Sequence, residues 1–534
     1  MPNPTEEQKA IISHRGNAVV SAKPGSGKTF TMARMISEHS AGLLSYQGVI
    51  AISYTRKASA ELEERCRLLG VNAGKSFFGT IDGFCLGEIV APFASHALLR
   101  KVDINVIENC EGHPEIAELD RPWVDRRKDR WDVVQRALSL GVLPVSSLSE
   151  AALCMVRHIP SVKTYLACRY TGVFIDEYQD CGLAQHLLML ELVSLGIRGV
   201  AFGDLDQAIF SYDRRYPEFF KELISSSSFK TFYLTKNHRC HESIVDYSLK
   251  LIGDKTERMA AEEKRVILVR VAGDEGAIAA GVERYIDRIM ERYGISACNE
   301  IAMLSTSNRM LSRYKGLLGV PAKQYCDTKL DHGFSKWRAF FRDLLIFLYL
   351  GDEYSSAFIG RYISQDLHPR SHRIASGVLE NLIGLPDADW AGNAESMVCL
   401  AESCLPDCRD DAAVSDLHEA LCNLERLRGA YRPADPEEIN LLTYHKSKGL
   451  EFDAVFCLDC YEYLMPPARY WENTYDAFTQ SLNMHYVGIT RARKVCYIPI
   501  ATTRHNARGV KHKTIPSQFL SKSGLPESRK EVNW

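Results

Sequence analysis

The sequence has no excess of either charge. Its 65 Lys and Arg stand against 67 Asp and Glu, for a formal net charge of -2. That excludes a wholly basic nucleic-acid coat protein, but a near-neutral sum can hide a local basic channel. No apolar run reaches 18 residues; the nearest, residues 344–350, is too short to span a bilayer. The opening M-P-N-P-T-E-E-Q-K-A lacks the positive start and apolar stretch of a signal peptide. These absences predict a cytoplasmic protein without a membrane partner. Repeats are missing, and low complexity is confined to residues 225–228. Zinc-ligand spacing is missing too. Cys457 and Cys460 form one C-x-x-C with no second pair nearby, and Cys399, Cys404, Cys408 and Cys422 match no common pattern. The 16 cysteines therefore read as small apolar packing groups in a reducing compartment.

What is present is an alternation of short apolar runs and amphipathic stretches. With 534 residues the chain is long enough for about three or four units. Residues 18–22, 49–54, 172–176, 199–203 and 231–234 read as buried strands, and 27–39 as the helix after the first. Strands resume at 265–271, 300–304, 439–443 and 454–458, while 85–165 and 338–431 look mostly helical. The pattern predicts an α/β chain with parallel sheets in two halves, each interrupted by a helical insertion. The segment at 121–136 mixes Arg with Trp123 and Trp131. It reads either as a contact to nucleic-acid phosphates or as a solvated helix with both Trp in the core.

Two stretches carry chemistry. Residues 22–29, A-K-P-G-S-G-K-T, fit the phosphate-loop pattern with Ala22 where Gly is more usual, and they sit between a strand and a helix. The loop Lys23, Pro24, Gly25, Ser26 and Gly27 would bind the nucleotide, the backbone N–H groups around Gly25 and Gly27 wrapping the phosphates. Lys28 would reach the β- and γ-phosphates of ATP, and Thr29 would ligate Mg2+. The second stretch, V-F-I-D-E at 173–177, is an apolar strand ending in two acids. Asp176 would hold Mg2+, and Glu177 would activate the attacking water.

Around these stretches the sequence resembles the UvrD/Rep/PcrA-type superfamily 1 DNA helicases. The acidic motif has the family form D-E-Y-Q-D at 176–180, and other motifs follow in order: Y-T-R-K-A at 54–58, G-T-I-D-G-F at 79–84, G-D-L-D-Q-A-I-F at 203–210, L-T-K-N-H-R at 234–239, T-Y-H-K-S-K-G-L-E-F at 443–452 and Y-V-G-I-T-R-A at 486–492. The resemblance implies two RecA-like phosphate-loop domains. Residues 1–84 and 166–250 would form the first core and 85–165 its insertion. Residues 251–352 and 432–534 would form the second core, with a reduced insertion at 353–431. It also implies roles. Gln8 would read adenine, His238 would stand where a stacking Tyr is usual, and Glu451 would contact the ribose. Gln207 would sense the γ-phosphate. Arg239 and Arg491 would act as arginine fingers, Arg491 from the second half, so that hydrolysis moves the halves. Tyr54, Thr55, Thr80, Phe210, Tyr212 and His445 would face single-stranded DNA, the aromatics by stacking on bases.

The departures concern grip and context. Asp82 replaces a usual His, Tyr212 a common Trp and Asp213 a common Arg, and an uncharged Q-S-L-N-M-H at 480–485 replaces an acidic-basic run. The second insertion is shorter than in full-length relatives, as in short antiviral helicases of the Gabija type that partner an OLD/TOPRIM-type nuclease. Two readings stay open. One is an ATP-dependent 3′-to-5′ translocase or helicase on single-stranded or tailed DNA, in antiphage defence or DNA repair. The other is a nucleotide- and DNA-end-sensing subunit that activates a partner nuclease with little unwinding of its own.

Overall fold

The computed structural model describes residues 3–534 apart from 72–74, 122, 127, 210–216, 255–260, 333–334, 352–353, 366, 468–473 and 507. The chain divides into two compact units. One comprises Met1–Ile295, Met303–Thr306 and Thr443–Trp534; the other comprises Ser296–Ala302 and Ser307–Leu442. No helix among the described residues is long and apolar enough to cross a membrane.

The first unit is built on a six-stranded sheet. In spatial order its strands are Phe77–Gly79, Gly48–Ile52, Tyr170–Ile175, Arg198–Gly203, Ala18–Ala22 and Lys230–Leu234. Every neighbouring pair is parallel, with Val20 opposite Phe202 on one side and Phe232 on the other. The interior strands are apolar on both faces because helices cover both, as continuous runs such as V-I-A-I require. Met32, Met35 and Ile36 of helix Lys28–Ser40 pack with Val20, Val49 and Phe174 in one core cluster. Parallel strands place all six C-terminal ends on one edge, where an open α/β sheet presents its ligand groups. The strands expected from apolar runs are present, with ends shifted by one or two residues.

The stretch after Phe77–Gly79 is helical as expected, with one addition. Helices Ala91–Leu98, Trp131–Leu140, Leu148–His158 and Pro160–Arg169 are accompanied by a small parallel pair, Asn105–Ile107 with Val142–Pro144. The Arg/Trp segment departs from the reading as a solvated helix with both Trp in the core. Its helix starts only at Trp131, and both Trp are half-buried rather than core. Trp123 donates to Lys128 O at 2.6 Å, and Trp131 stacks on His158. Arg126 binds Glu222, and Arg130 binds Glu150, whose carboxylate is only 4% exposed. A buried carboxylate needs its counter-charge, so Arg130 is engaged within the fold, whereas the Arg126–Glu222 pair lies at the surface.

The same unit holds a second run of parallel strands: Phe452–Cys457, Ala492–Ala501, Val266–Val271 and Lys530–Asn533. Ala492–Ala501 escapes a reading by apolar runs because Arg493, Lys494 and Pro499 interrupt it. Pro499 is tolerated because pairing with Phe452–Cys457 ends at Tyr497, while pairing with Val266–Val271 runs on to Ala501. The C-x-x-C is packing material. Cys457 Sγ lies 3.7 Å from Cys496 Sγ, and Cys460 Sγ lies 3.5 Å from His485 Nδ1, all of them buried.

In the second unit, Ala322–Gln324 pairs in parallel with Ile439–Thr443. Helices Lys336–Leu350, Pro369–Leu382, Ala394–Cys404 and Asp411–Cys422 enclose a core centred on Trp337, Phe340, Phe341 and Leu344. Trp337 is fully buried and its Nε1 donates to Leu405 O at 3.1 Å. Trp337→Ala should therefore destabilise this unit by about 3–5 kcal/mol. Urea unfolding followed by limited proteolysis checks this: residues 307–442 should become cleavable at lower urea than in the unsubstituted protein.

Candidate functional site

The loop after strand Ala18–Ala22 has a shape that only glycine permits. Gly25 has φ +69° and Gly27 φ +81°, in the left-handed region. A β-carbon at Gly25 would lie 2.6 Å from Arg239 Cβ, and one at Gly27 2.6 Å from Gln8 Nε2. No side chain caps helix Lys28–Ser40, so the N–H groups of its first turn face the loop. The loop is held from outside. Lys23 N donates to Leu234 O (3.0 Å), His238 N to Gly25 O (2.8 Å) and Asn237 Nδ2 to Pro24 O (2.7 Å). Gln8 Nε2 donates to Ser26 O at 3.2 Å, and Gln8 Oε1 accepts from Thr5 N in a capping box. The Ser26 hydroxyl is buried with no hydrogen-bond partner.

Lys28 reaches across to the end of strand Tyr170–Ile175. Its Nζ lies 3.2 Å from Asp176 Oδ1 and bonds Glu177 Oε1. Burial opposes its charge, but the two carboxylates overcome this and hold the Lys28 pKa above the usual lysine range. The acids differ. Burial raises the Asp176 pKa despite Lys28. At Glu177 burial acts the same way, but Lys28 and Lys448 outweigh it and hold the carboxylate well below its usual range. Glu177 has φ +50°, costly for a side chain of its size. That backbone directs its carboxylate to Lys28 on one oxygen and to Gln179 Nε2 (2.5 Å) on the other.

Gln207 and Arg491 meet beside this cluster. The Gln207 side chain is fixed at both ends: Nε2 donates to Asp204 Oδ2 at 2.8 Å, and Oε1 accepts from Arg491 Nη2 at 3.1 Å. Arg491 is 2% exposed and also donates to Val487 O and Leu450 O. Burial, with Arg239 nearby, lowers its pKa to about 10, so it stays charged at neutral pH. Arg239 Nε lies 2.5 Å from Glu451 Oε2.

The structure thus brings together Gln8, Ala22 to Thr29, Asp176, Glu177, Gln207, His238, Arg239, Glu451 and Arg491. Thr29 is half-buried in the first turn of the helix. Tyr54 and Thr55 follow strand Gly48–Ile52, and Thr80 follows Phe77–Gly79, on the same sheet edge but with two and three strands intervening before the phosphate-loop strand. Thr55 and Thr80 cap helices, accepting from Ala58 N and Gly83 N. His445 is half-buried, and burial pushes its pKa down. Phe210, Tyr212 and Asp213 lie outside the described residues.

Three residues that the motif reading left without a role belong to the site. Lys448 Nζ lies 2.5 Å from Asp180 Oδ2, 2.8 Å from Gln207 O and 3.6 Å from Glu177 Oε2. Gln179 links Glu177 to strand Arg198–Gly203, its Oε1 accepting from Asp204 N at 3.0 Å. Asp204 is buried, and burial with Asp206 beside it raises its pKa to about 6. Each lies inside a motif, which was the available signal; which carboxylate each would meet was not.

The UvrD/REP helicase N-terminal domain family matches residues 4–109 and 132–227, and the UvrD-like helicase C-terminal domain family matches 419–503. Together they cover more than half of the chain. Among characterised proteins, the chain is 29% identical over 281 residues to the Gabija protein GajB of Bacillus cereus, covering 51% of this chain and 53% of that protein. That match spans about half the length of GajB. The chain is 23% identical to the ATP-dependent DNA helicase PcrA of Staphylococcus aureus, covering 98% of this chain and 86% of that protein. It is also 23% identical to the ATP-dependent DNA helicase UvrD1 of Mycobacterium bovis, covering 93% and 82%.

The raised Asp204 pKa has a signed consequence. The folded value of about 6 lies above the ordinary aspartate value of 3.8, so the stability Asp204 contributes is present at low pH and is lost as pH rises through about 6. Asp204→Asn removes that dependence. Thermal unfolding at pH 5 and pH 7.5 should show the variant gaining on the unsubstituted protein as pH rises; a gap that does not change with pH contradicts the assignment.

Proposed function

We propose that this chain, which belongs to the UvrD-like helicase family, is an ATP-dependent DNA translocase or helicase acting on single-stranded or tailed DNA with 3′-to-5′ polarity. The observation that carries this reading is the continuous contact from Lys28 through Asp176 and Glu177 to Lys448, Gln207 and Arg491. That path joins the phosphate loop to the last helicase motif.

The residues fit a nucleoside triphosphate with Mg2+. The left-handed glycines let the loop close against Arg239, Asn237 and Gln8, where a β-carbon would clash, the Ser26 hydroxyl is an orphaned buried group, and Lys28 converges with two carboxylates. When bound, ATP supplies the phosphoanhydride bond to be broken, and Mg2+ neutralises phosphate charge. Lys28 and the N–H groups of the loop hold the phosphates; Thr29 and Asp176 hold the metal. Glu177 accepts the proton of the attacking water. Its basicity rises as Lys28 leaves it for a phosphate, because Lys28 is its closest cationic partner. Arg491 and Arg239 stabilise the charge that develops at transfer, and Gln207 relays the state of the phosphate. Gln8 and His238 face the base, and Glu451 faces the ribose.

Tyr54, Thr55, Thr80 and His445 take the DNA strand, with Phe210 and Tyr212 as stacking groups. The four-part division into two cores and two insertions belongs to the same reading. A second reading is favoured by the GajB match: a sensor of nucleotide and DNA ends that switches a nuclease partner in antiphage defence.

Lys28→Ala should abolish ATP hydrolysis, and Arg491→Ala should slow turnover by about 10³-fold while sparing nucleotide binding. Steady-state turnover and nucleotide titration check both; normal turnover by Lys28→Ala contradicts the site. A 3′-tailed duplex separates the readings: strand displacement by the purified chain favours the helicase, and displacement or cleavage only with a nuclease present favours the sensor.

A further inference from the structure

The phosphate-loop pattern specifies glycines, Lys and Thr but leaves position 23 open, so nothing in phosphate binding demands a lysine there. Lys23 is nevertheless directed. Its Nζ lies 2.5 Å from Asp206 Oδ2, in the turn that carries Gln207. That turn is tightly braced. Asp204 Oδ1 accepts from Asp206 N at 3.2 Å, Asp204 Oδ2 accepts from Gln207 Nε2 at 2.8 Å, and Gln207 N donates to Asp204 O at 3.1 Å.

Its other side is held by the C-terminal motifs. Lys448 Nζ donates to Gln207 O (2.8 Å), Asn483 Nδ2 to Ala208 O (3.1 Å) and Leu205 O (3.4 Å), and Gln480 Nε2 to Ile209 O (2.7 Å). The uncharged Q-S-L-N run that stands out in the sequence thus supplies two amides that grip backbone carbonyls. With that side fixed, a tie to the phosphate loop decides how far Gln207 stands from the phosphates.

We propose that Lys23 is that tie: a positioning residue that couples the phosphate loop to the 204–207 turn through Asp206. The inference rests on the hydrolytic reading above and deepens it. Lys23 acts through Asp206 rather than as a further phosphate ligand. The pair is about one-third exposed, at 30% and 32% of the two side chains. It therefore contributes little to stability, and its loss leaves the fold intact.

Steady-state ATP turnover with single-stranded DNA tests this on Lys23→Ala, Lys23→Arg, Asp206→Asn and the double variant Lys23→Ala/Asp206→Asn. The expected result is a kcat lowered about 10- to 100-fold in Lys23→Ala with KM for ATP little changed. Lys23→Arg should restore most of it. Asp206→Asn should lose as much, and the double variant no more, because both substitutions break one interaction. Tm should stay within about 2 °C of the unsubstituted protein. A raised KM with unchanged kcat would mean that Lys23 binds phosphate itself and would overturn the proposal. Fully additive losses would overturn it as well. An unsubstituted protein that turns over no ATP would instead refute the hydrolytic reading, and this inference with it.

Discussion

Confining the Lys28 ammonium between Asp176 and Glu177 is the constraint on which the rest of the site depends. Moving a charge out of water costs several kcal/mol unless partners with good geometry offset it. Here the partners come from the end of a strand, Glu177 lying 149 residues from Lys28 in sequence. They lie within reach because Tyr170–Ile175 and Ala18–Ala22 flank the same strand, Arg198–Gly203, in a parallel sheet. The sheet therefore does more than support the site. Its register decides that a lysine after one strand meets carboxylates after another. The two cations on the acidic motif, Lys28 and Lys448, then hold Glu177 ionised, while burial pulls Asp176 the other way.

From that centre the contacts extend in one direction. Glu177 holds Gln179, Gln179 holds Asp204, and Asp204 holds Gln207, which meets the buried Arg491. Each link is a side chain with both ends engaged. Such a series has few alternative arrangements, so a change at the phosphate loop is not absorbed locally. A path of this kind suits a protein that turns hydrolysis into movement. Its last member, Arg491, lies in a motif family-typical of helicases, matched here by the C-terminal family at residues 419–503.

Much of this was legible in the sequence, for a physical reason. Short apolar strands followed by Gly-rich or acidic turns are local signals, and the phosphate loop, Asp176-Glu177 and Gln207 all lie on strand ends. Pairings between distant segments were not legible. Nothing in the spacing says that Lys448 meets Asp180, that Gln8 braces Ser26, or that Arg130 is spent on Glu150 rather than left for nucleic acid. The strand Ala492–Ala501 was hidden by Arg493, Lys494 and Pro499, since a run-based reading has no way to see that Pro499 lies beyond one neighbour's last paired residue. The Q-S-L-N run was legible only as a missing charge pattern; its use as a pair of carbonyl-binding amides belongs to the tertiary structure.

On the function proposed above, this site hydrolyses ATP and its turnover answers to a DNA strand on the same edge of the sheet. The most direct test is the ATP turnover rate of the purified protein as single-stranded oligonucleotide is titrated in. A saturable rise in kcat with added strand is the expected result. Turnover that is measurable but indifferent to DNA at every concentration would contradict it.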